Sequence, residues 1–307
     1  QIVNQLSFGT EGLYGTPTYV SATYIFLFIL FGAFLEQAGM ISLFNDFAMG
    51  TVGHTRGGPA KVSVVSSGLM GTINGSGVAN VVTTGQFTIP LMKRFGYSSA
   101  FAGGVEATSS MGGQIMPPVM GAVAFIMAET INVPYIEVCK AALIPAILYF
   151  CTAFWMVHLE AGRKGLVGLA KEDCPDPWVA VRQRWYLLLP LIGLVALLFS
   201  GYTPLFSGTI GLALTVVLIF GAALLSGVRK LPLRVLFWVL LGIACAGFLE
   251  FGVITFFVVT AVLVALMHLR RTGGDAMRLA VQALAEGARH ALPVAIACTL
   301  VGVIIGV

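Results

Sequence analysis

Between residues 71 and 85 the chain reads GTINGSGVANVVTTG, a run of small and uncharged polar residues between two apolar stretches. Asn74, Ser76, Asn80, Thr83 and Thr84 supply hydrogen-bond donors and acceptors without charge. Gly75 and Gly77 permit positive φ and let a ligand or a second backbone come close. A helix over 58–73 would aim its C-terminal carbonyls at this turn, which favours a cation. A helix over 80–94 would aim its N-terminal amides at the same turn, which favours an anion. The stretch therefore reads as a cation half-site beside a carboxylate half-site. The plainer alternative is a polar loop between two ordinary short helices, but a loop outside a membrane needs no apolar flanks this long.

A second interruption, SSMGGQIMPPVMG at 109–121, lies inside the apolar region 98–130. Gly112 and Gly113 end one half-helix. Pro117 and Pro118 lack amide protons and suit the first turn of the next. A single proline-kinked spanning helix is the alternative. Glu106, about one to two turns before Gly112, is a coupling candidate, because a carboxylate inside a membrane is a functional hypothesis by default. Its other reading is a carboxylate satisfied near Thr108 or Ser109, or one close to the interface. Glu36, Glu129 and Glu250 fall at segment ends and read as interfacial. Ser76 within GSG resembles the serine of an intramembrane hydrolase, but that chemistry needs a base within hydrogen-bond reach. His54, His158, His268 and His290 all sit near segment ends, so no enzyme is expected. Cys139, Cys151, Cys174, Cys245 and Cys298 are scattered, without metal-ligand spacing.

The elements that hold these residues belong to an all-α polytopic membrane protein. Of 307 residues 58% are hydrophobic and 10% charged, whereas soluble domains carry about 25% charged residues. The mean hydropathy is +0.94. A net charge of +4 would suit nucleic acid in a soluble chain; in a bilayer the placement of basic residues matters more, and no nucleic-acid partner is expected. Runs near the spanning length of about 17–25 residues cover 18–40, 142–158, 185–201, 205–226, 233–250, 252–269 and 287–307.

The region 58–94 reads as a re-entrant hairpin. If it enters and leaves by one face while 98–130 crosses once, every basic residue except Lys140 falls on one side, which the positive-inside rule makes cytoplasmic. Gly58 to Ile73 gives at most about 24 Å of helix, against a hydrocarbon core of about 30 Å. By the same count 18–40 and 287–307 cross in opposite senses. If 287–307 opens a second copy, the two copies are inverted, as in alternating-access transporters. The chain starts at Gln1 and stops at Val307 inside an apolar run, and reads as a fragment. It divides into an N-terminal segment with spanning helix and interfacial arm (1–57), the hairpin (58–94) and a discontinuous helix (95–130). An arm, spanning helix and cytoplasmic loop (131–184), scaffold-like spanning helices (185–275) and the start of a second repeat (276–307) follow.

Three stretches carry a family resemblance: RGGPAKVSVVSSGLMGTINGSGVANVVTTGQFTIPLMKRFGY, FAGGVEATSSMGGQIMPPVMGAVAFIMAE and AALIPAILYF. They resemble the large membrane subunit of tripartite ATP-independent periplasmic (TRAP) transporters, in the fused-permease form that works with a TAXI-type binding protein. The likeness runs from about Phe8 to SGYTPL and resumes at LAEGARHALPVAIAC. It implies the first half of an inverted-repeat, elevator-type transporter, with a second hairpin and a second broken helix expected after residue 307. It further implies sodium-coupled uptake of small organic acids in a bacterial or archaeal cytoplasmic membrane. The implied partners are an extracytoplasmic TAXI-type binding protein and a small membrane subunit, fused or separate. The resemblance assigns sodium to Asn74, Gly75, Gly112 and Gly113, and substrate to Ser76, Gly77, Asn80 and Pro118. Three alternatives stay open: proton coupling through Glu106, a hydrolase built on Ser76, and a purely structural subunit that would leave the polar hairpin unexplained.

Overall fold

A computed structural model describes residues 12–225, 231–246, 252, 254–269 and 274–306. All regular secondary structure among them is helical. Helix α1 covers Thr16–Val52 and is bent near its middle, where Glu36–Met40 is π-helical and Gly39 takes φ 103°. Glycine holds that conformation without a Cβ clash. Beyond the bend, Ile41–Val52 forms an arm along the next helix, and Asn45 of the arm accepts a hydrogen bond from the Ser66 hydroxyl.

Helices α2 (Gly58–Asn74) and α3 (Gly77–Arg94) make the hairpin. Pro59 sits in the first turn of α2, where its missing amide is no loss. The helix stops because Gly75 turns left-handed at φ 56°. Ser76 then caps α3, its Oγ accepting from the Ala79 amide at 3.3 Å. This serine cap starts the second helix at Gly77 rather than at residue 80. The turn is only Gly75 and Ser76, and Asn80 stands inside helix.

Helix α4 (Ser99–Gly112) is followed by a 3₁₀ turn at Gly113–Ile115 and, after an irregular stretch, by α5 (Ala122–Thr130). The region 98–130 is therefore broken, as expected. The prolines do not open the second half-helix, however. A residue before proline is driven out of the α region, which applies to Met116 and Pro117, and Met116 is extended at φ −85°, ψ 114°. Helix resumes only after Gly121.

The chain continues with α6 (Tyr135–Arg163), α7 (Pro177–Arg184), α8 (Leu188–Phe199), α9 (Pro204–Leu225), α10 (Leu231–Ala246), α11 (Ile254–Leu269) and α12 (Gly274–Gly306). Among the described residues five helical stretches are long and apolar enough to cross a membrane: Thr16–Val52, Tyr135–Arg163, Lys171–Phe199, Pro204–Leu225 and Gly274–Ile304. The expected spans 233–250 and 252–269 correspond to α10 and α11, of 16 residues each. Glu250 and the basic residues Arg229, Lys230, Arg270 and Arg271 lie outside the described residues.

One buried cluster ties the polar hairpin to the rest. Phe28, Phe31 and Leu35 of α1 meet Met70 and Ile73 of α2 and Val119, Met120 and Phe125 around the break. Tyr135 stacks on Phe125 with ring centroids 4.2 Å apart. Since lipid is as apolar as leucine, close fit rather than burial as such holds these helices together. The opposite case is α6, which leaves Leu143, Ile144, Ile147, Leu148, Trp155 and Met156 exposed as a surface that suits lipid.

Candidate ion and substrate site at the hairpin tip

The tip of the hairpin rests on the broken segment. A Cβ on Gly75 would stand 2.4 Å from the Met120 carbonyl oxygen and 2.9 Å from that of Val119, so only glycine allows this approach. The broken segment is held by its own clamps. The Tyr135 hydroxyl donates to the Pro118 carbonyl at 2.8 Å and accepts from the Met120 amide at 3.2 Å. The Gly121 amide donates to the Gln114 carbonyl at 2.7 Å.

Three carbonyls at this contact, those of Gly75, Val119 and Met120, accept no hydrogen bond among the described residues, although all three residues are buried. Buried carbonyls are ordinarily paired. Beside them lies a cavity of about 20 Å³, lined in part by Asn74, Gly75, Ser76, Val119, Met120 and Gly121. That is room for one water or one small ion. On the other side of the turn, the Gly77 and Val78 amides donate no hydrogen bond among the described residues, and Val78 is exposed. These are the free donors of a helix start.

The residues singled out by sequence divide between several places. Asn74, Gly75 and Ser76 meet the broken segment directly. The Asn74 amide nitrogen donates to Glu36 Oε1 at 3.1 Å, and its Oδ1 accepts from the Ser76 amide at 3.3 Å. Gly77 packs on Met111 and Gln114. Asn80 is fully buried between the hairpin arms, donating to the Ser67 carbonyl at 2.8 Å, and Gly113 lies against it and Gly71. Pro118 turns its carbonyl to Tyr135. Gly112 faces Tyr149 and Phe150 of α6 instead.

Glu106 is fully buried, and its neighbours are not Thr108 or Ser109. Its Oε2 accepts from Ser63 at 2.7 Å and from Thr88; its Oε1 accepts from Ser67 at 3.2 Å, Ser110 at 2.9 Å and Thr84. Ser63 and Ser67 come from α2, Thr84 and Thr88 from α3. Each pair is spaced by four residues, so both hydroxyls of a pair share one helix face. The carboxylate thus fastens both arms of the hairpin to α4, and no basic side chain pairs with it among the described residues.

Glu36 is buried at 8% exposure against Asn74, just before the bend at Gly39 that turns the chain into the arm. Sequence reasoning missed this residue and Tyr135. A carboxylate inside the otherwise apolar run FLFILFGAFLEQAGM was a usable sign. For Tyr135 there was no local sign, since its partners arrive from the distant break.

An all-helical, multi-pass chain with a polar hairpin tip set against a broken helix has the form of a transporter's membrane component. The chain belongs to the family described as tripartite ATP-independent periplasmic transporter, DctM component, whose model matches residues 1–307. It is 29% identical over 194 residues to the C4-dicarboxylate TRAP transporter large permease protein of Pseudomonas aeruginosa, covering 62% of this chain and 45% of that one. It is 24% identical over 200 residues to the sialic acid TRAP transporter large permease protein of Vibrio cholerae, covering 65% and 46%. A third relative is the 2,3-diketo-L-gulonate TRAP transporter large permease protein of Escherichia coli, 24% identical over 184 residues, covering 60% and 43%. The chain spans about half the length of the relatives it matches. Those relatives are transporter permease subunits, not enzymes, which removes the hydrolase reading of Ser76.

Proposed function

We propose that this chain forms part of a sodium-coupled secondary transporter that takes up small organic acids, with sodium and substrate both as cargo of the hairpin tip. The observation that carries the reading is the set of unpaired, buried carbonyls of Gly75, Val119 and Met120 around a cavity of about 20 Å³. Hard oxygen ligands without a proton to give suit a small cation. The free amides of Gly77 and Val78 suit a carboxylate of the substrate. Asn74 and Gly75 therefore stay in the proposed ion site, while Val119 and Met120 stand there in place of Gly112 and Gly113. Ser76 and Gly77 stay on the substrate side.

With sodium bound, the carbonyl ends are neutralised, the tip is ordered and the carboxylate docks on the amides. The loaded group then moves across the membrane. The 17 residues of α2 and 18 of α3 make about 26 Å of helix each, short of a core of about 30 Å, which supports a re-entrant hairpin in an elevator-type half-repeat. C4-dicarboxylates, sialic acid and diketogulonate, printed in the names of the relatives, are all organic acids and support that substrate class. The motif resemblance supports delivery by a TAXI-type extracytoplasmic binding protein, a small membrane subunit, and a bacterial or archaeal cytoplasmic membrane.

A second reading, proton coupling, is favoured by one feature of Glu106. Thr84 and Thr88 each have a backbone carbonyl to turn to, Asn80 at 2.7 Å and Thr84 at 3.1 Å. The hydroxyl cage can thus satisfy both the ionised and the protonated carboxyl. The test of both readings is uptake of labelled carboxylates into proteoliposomes holding the full-length protein with its binding protein. Uptake that follows an inward sodium gradient supports the first reading. Uptake driven by a proton gradient alone, and retained without sodium, sinks it and favours the second.

A further inference from the structure

Glu36 presents a specific problem in the fold. It is a carboxylate on α1, nearly wholly buried, with no basic side chain paired to it among the described residues. A buried polar group of this kind costs stability that a leucine of similar volume would not. Its recorded hydrogen bond comes from Asn74 Nδ2 at 3.1 Å. Gly32, one turn earlier, is what lets α1 come so near. A Cβ there would stand 3.0 Å from the Ile73 carbonyl oxygen and 3.2 Å from Asn74 Cα.

Glu36 Oε1 accepts from the NH₂ side of the Asn74 amide and so holds that side toward α1. That choice fixes the other end. Asn74 Oδ1 must then point back to the turn, where it accepts from the Ser76 amide at 3.3 Å. Ser76 in turn caps α3 through Ala79. Were the Asn74 amide turned over, NH₂ would meet the Ser76 N–H, donor against donor, and oxygen would meet the carboxylate. Both contacts would be lost together.

We propose that Glu36 is a positioning residue for the hairpin tip: through the orientation it imposes on Asn74 it sets the Gly75–Ser76 turn, and with it the carbonyl and amide ends between which ion and substrate bind. The proposal rests on the reading of the tip as the ion and substrate site. Glu36 touches neither cargo. It acts from α1, outside the hairpin, so the contact of the two groups determines whether the tip is ordered.

The experiment is a pair of measurements on the full-length protein. The first is hydrogen exchange of the peptide spanning residues 74–80, which reads tip order without any transport. Glu36→Leu should raise its exchange about tenfold, the loss of a hydrogen bond that leaves the buried Asn74 donor unpaired. Glu36→Gln keeps an acceptor oxygen and should stay within about threefold of the natural protein. In the Asn74→Ala background Glu36→Leu should add nothing, since a residue acting through Asn74 has nothing left to act on. Where Glu36→Leu is not recovered folded, the cycle of Glu36→Gln with Asn74→Ala asks the same question at smaller amplitude.

The second measurement is the sodium concentration for half-maximal uptake, expected to rise about tenfold in Glu36→Leu while maximal uptake is kept. Unchanged exchange in Glu36→Leu, or effects of Glu36 and Asn74 that simply add, overturns the proposal. Uptake indifferent to sodium in the natural protein would instead defeat the ion-site reading, and the exchange cycle would still decide the role of Glu36.

Discussion

Gly71 of the hairpin and Gly113 of the broken segment meet backbone to backbone: a Cβ on Gly71 would stand 2.4 Å from the Gly113 Cα. Small residues at such crossings let helices approach closely in lipid, where fit replaces the hydrophobic drive. This crossing sets how deeply the tip seats on residues 118–121, so it bears on the proposed ion site without touching it.

Gly71→Ala is expected to push the two segments apart and to lower stability by about 1–3 kcal/mol, the usual cost of overpacking. Thermal unfolding in detergent reads the loss. A variant as stable as the natural protein, with unchanged uptake, would show that the crossing is not tight.

Tyr135→Phe removes the hydroxyl that holds the Pro118 carbonyl and the Met120 amide while leaving the ring stacked on Phe125. The carbonyl of Met120 loses its fixed direction, so sodium should bind about tenfold more weakly, near the worth of one or two hydrogen bonds. The sodium dependence of uptake measures this, and an unaltered half-saturation concentration contradicts the placement of the ion beside Met120.

Ser76→Ala takes away the cap of α3, typically about 1 kcal/mol, and loosens the amides proposed for the substrate carboxylate. Substrate affinity should fall about fivefold while uptake persists. Abolished uptake in a folded, stable variant would mean that the hydroxyl itself contacts the cargo.

Glu106→Gln inserts an NH₂ among five hydroxyls, of which Thr84 and Thr88 can turn to a backbone carbonyl but Ser63, Ser67 and Ser110 have none to turn to among the described residues. At least one donor then faces another, and stability should fall by about 1–3 kcal/mol. Under sodium coupling the variant still takes up substrate in a sodium-dependent way. If it instead loses the pH dependence of uptake and no longer responds to a proton gradient, Glu106 is the coupling group.

Much of this arrangement is legible in the sequence, and the reason is local. Gly75 ends one helix and Ser76 begins the next through interactions within five residues, so NGSG could be read as a turn from chain chemistry alone. The break at 113–121 was legible for the same reason, but its internal form was not. Two prolines in a row forbid helix at Met116 and Pro117, and that local rule outweighed the preference of proline for a helix start. The partners of Glu106 are a different matter. Ser63 and Thr88 are joined only by the folding of the hairpin onto α4, and their spacing becomes meaningful once the turn is known. The pairing of Glu36 with Asn74 was not legible, because the two meet only when α1 packs on the hairpin.

The hydroxyls that hold Glu106 sit symmetrically about the turn. Ser67 precedes Gly75 by as many residues as Thr84 follows Ser76, and the same is true of Ser63 and Thr88 one helical turn farther down. The hairpin is therefore in register in the sense of a zip fastener. Adding one residue to either arm above the rungs would swing its hydroxyls by about 100° and leave the slider with teeth on one side only. Length in this element can change only in both arms at once and in steps near a whole turn, so the reach of the hairpin is quantised.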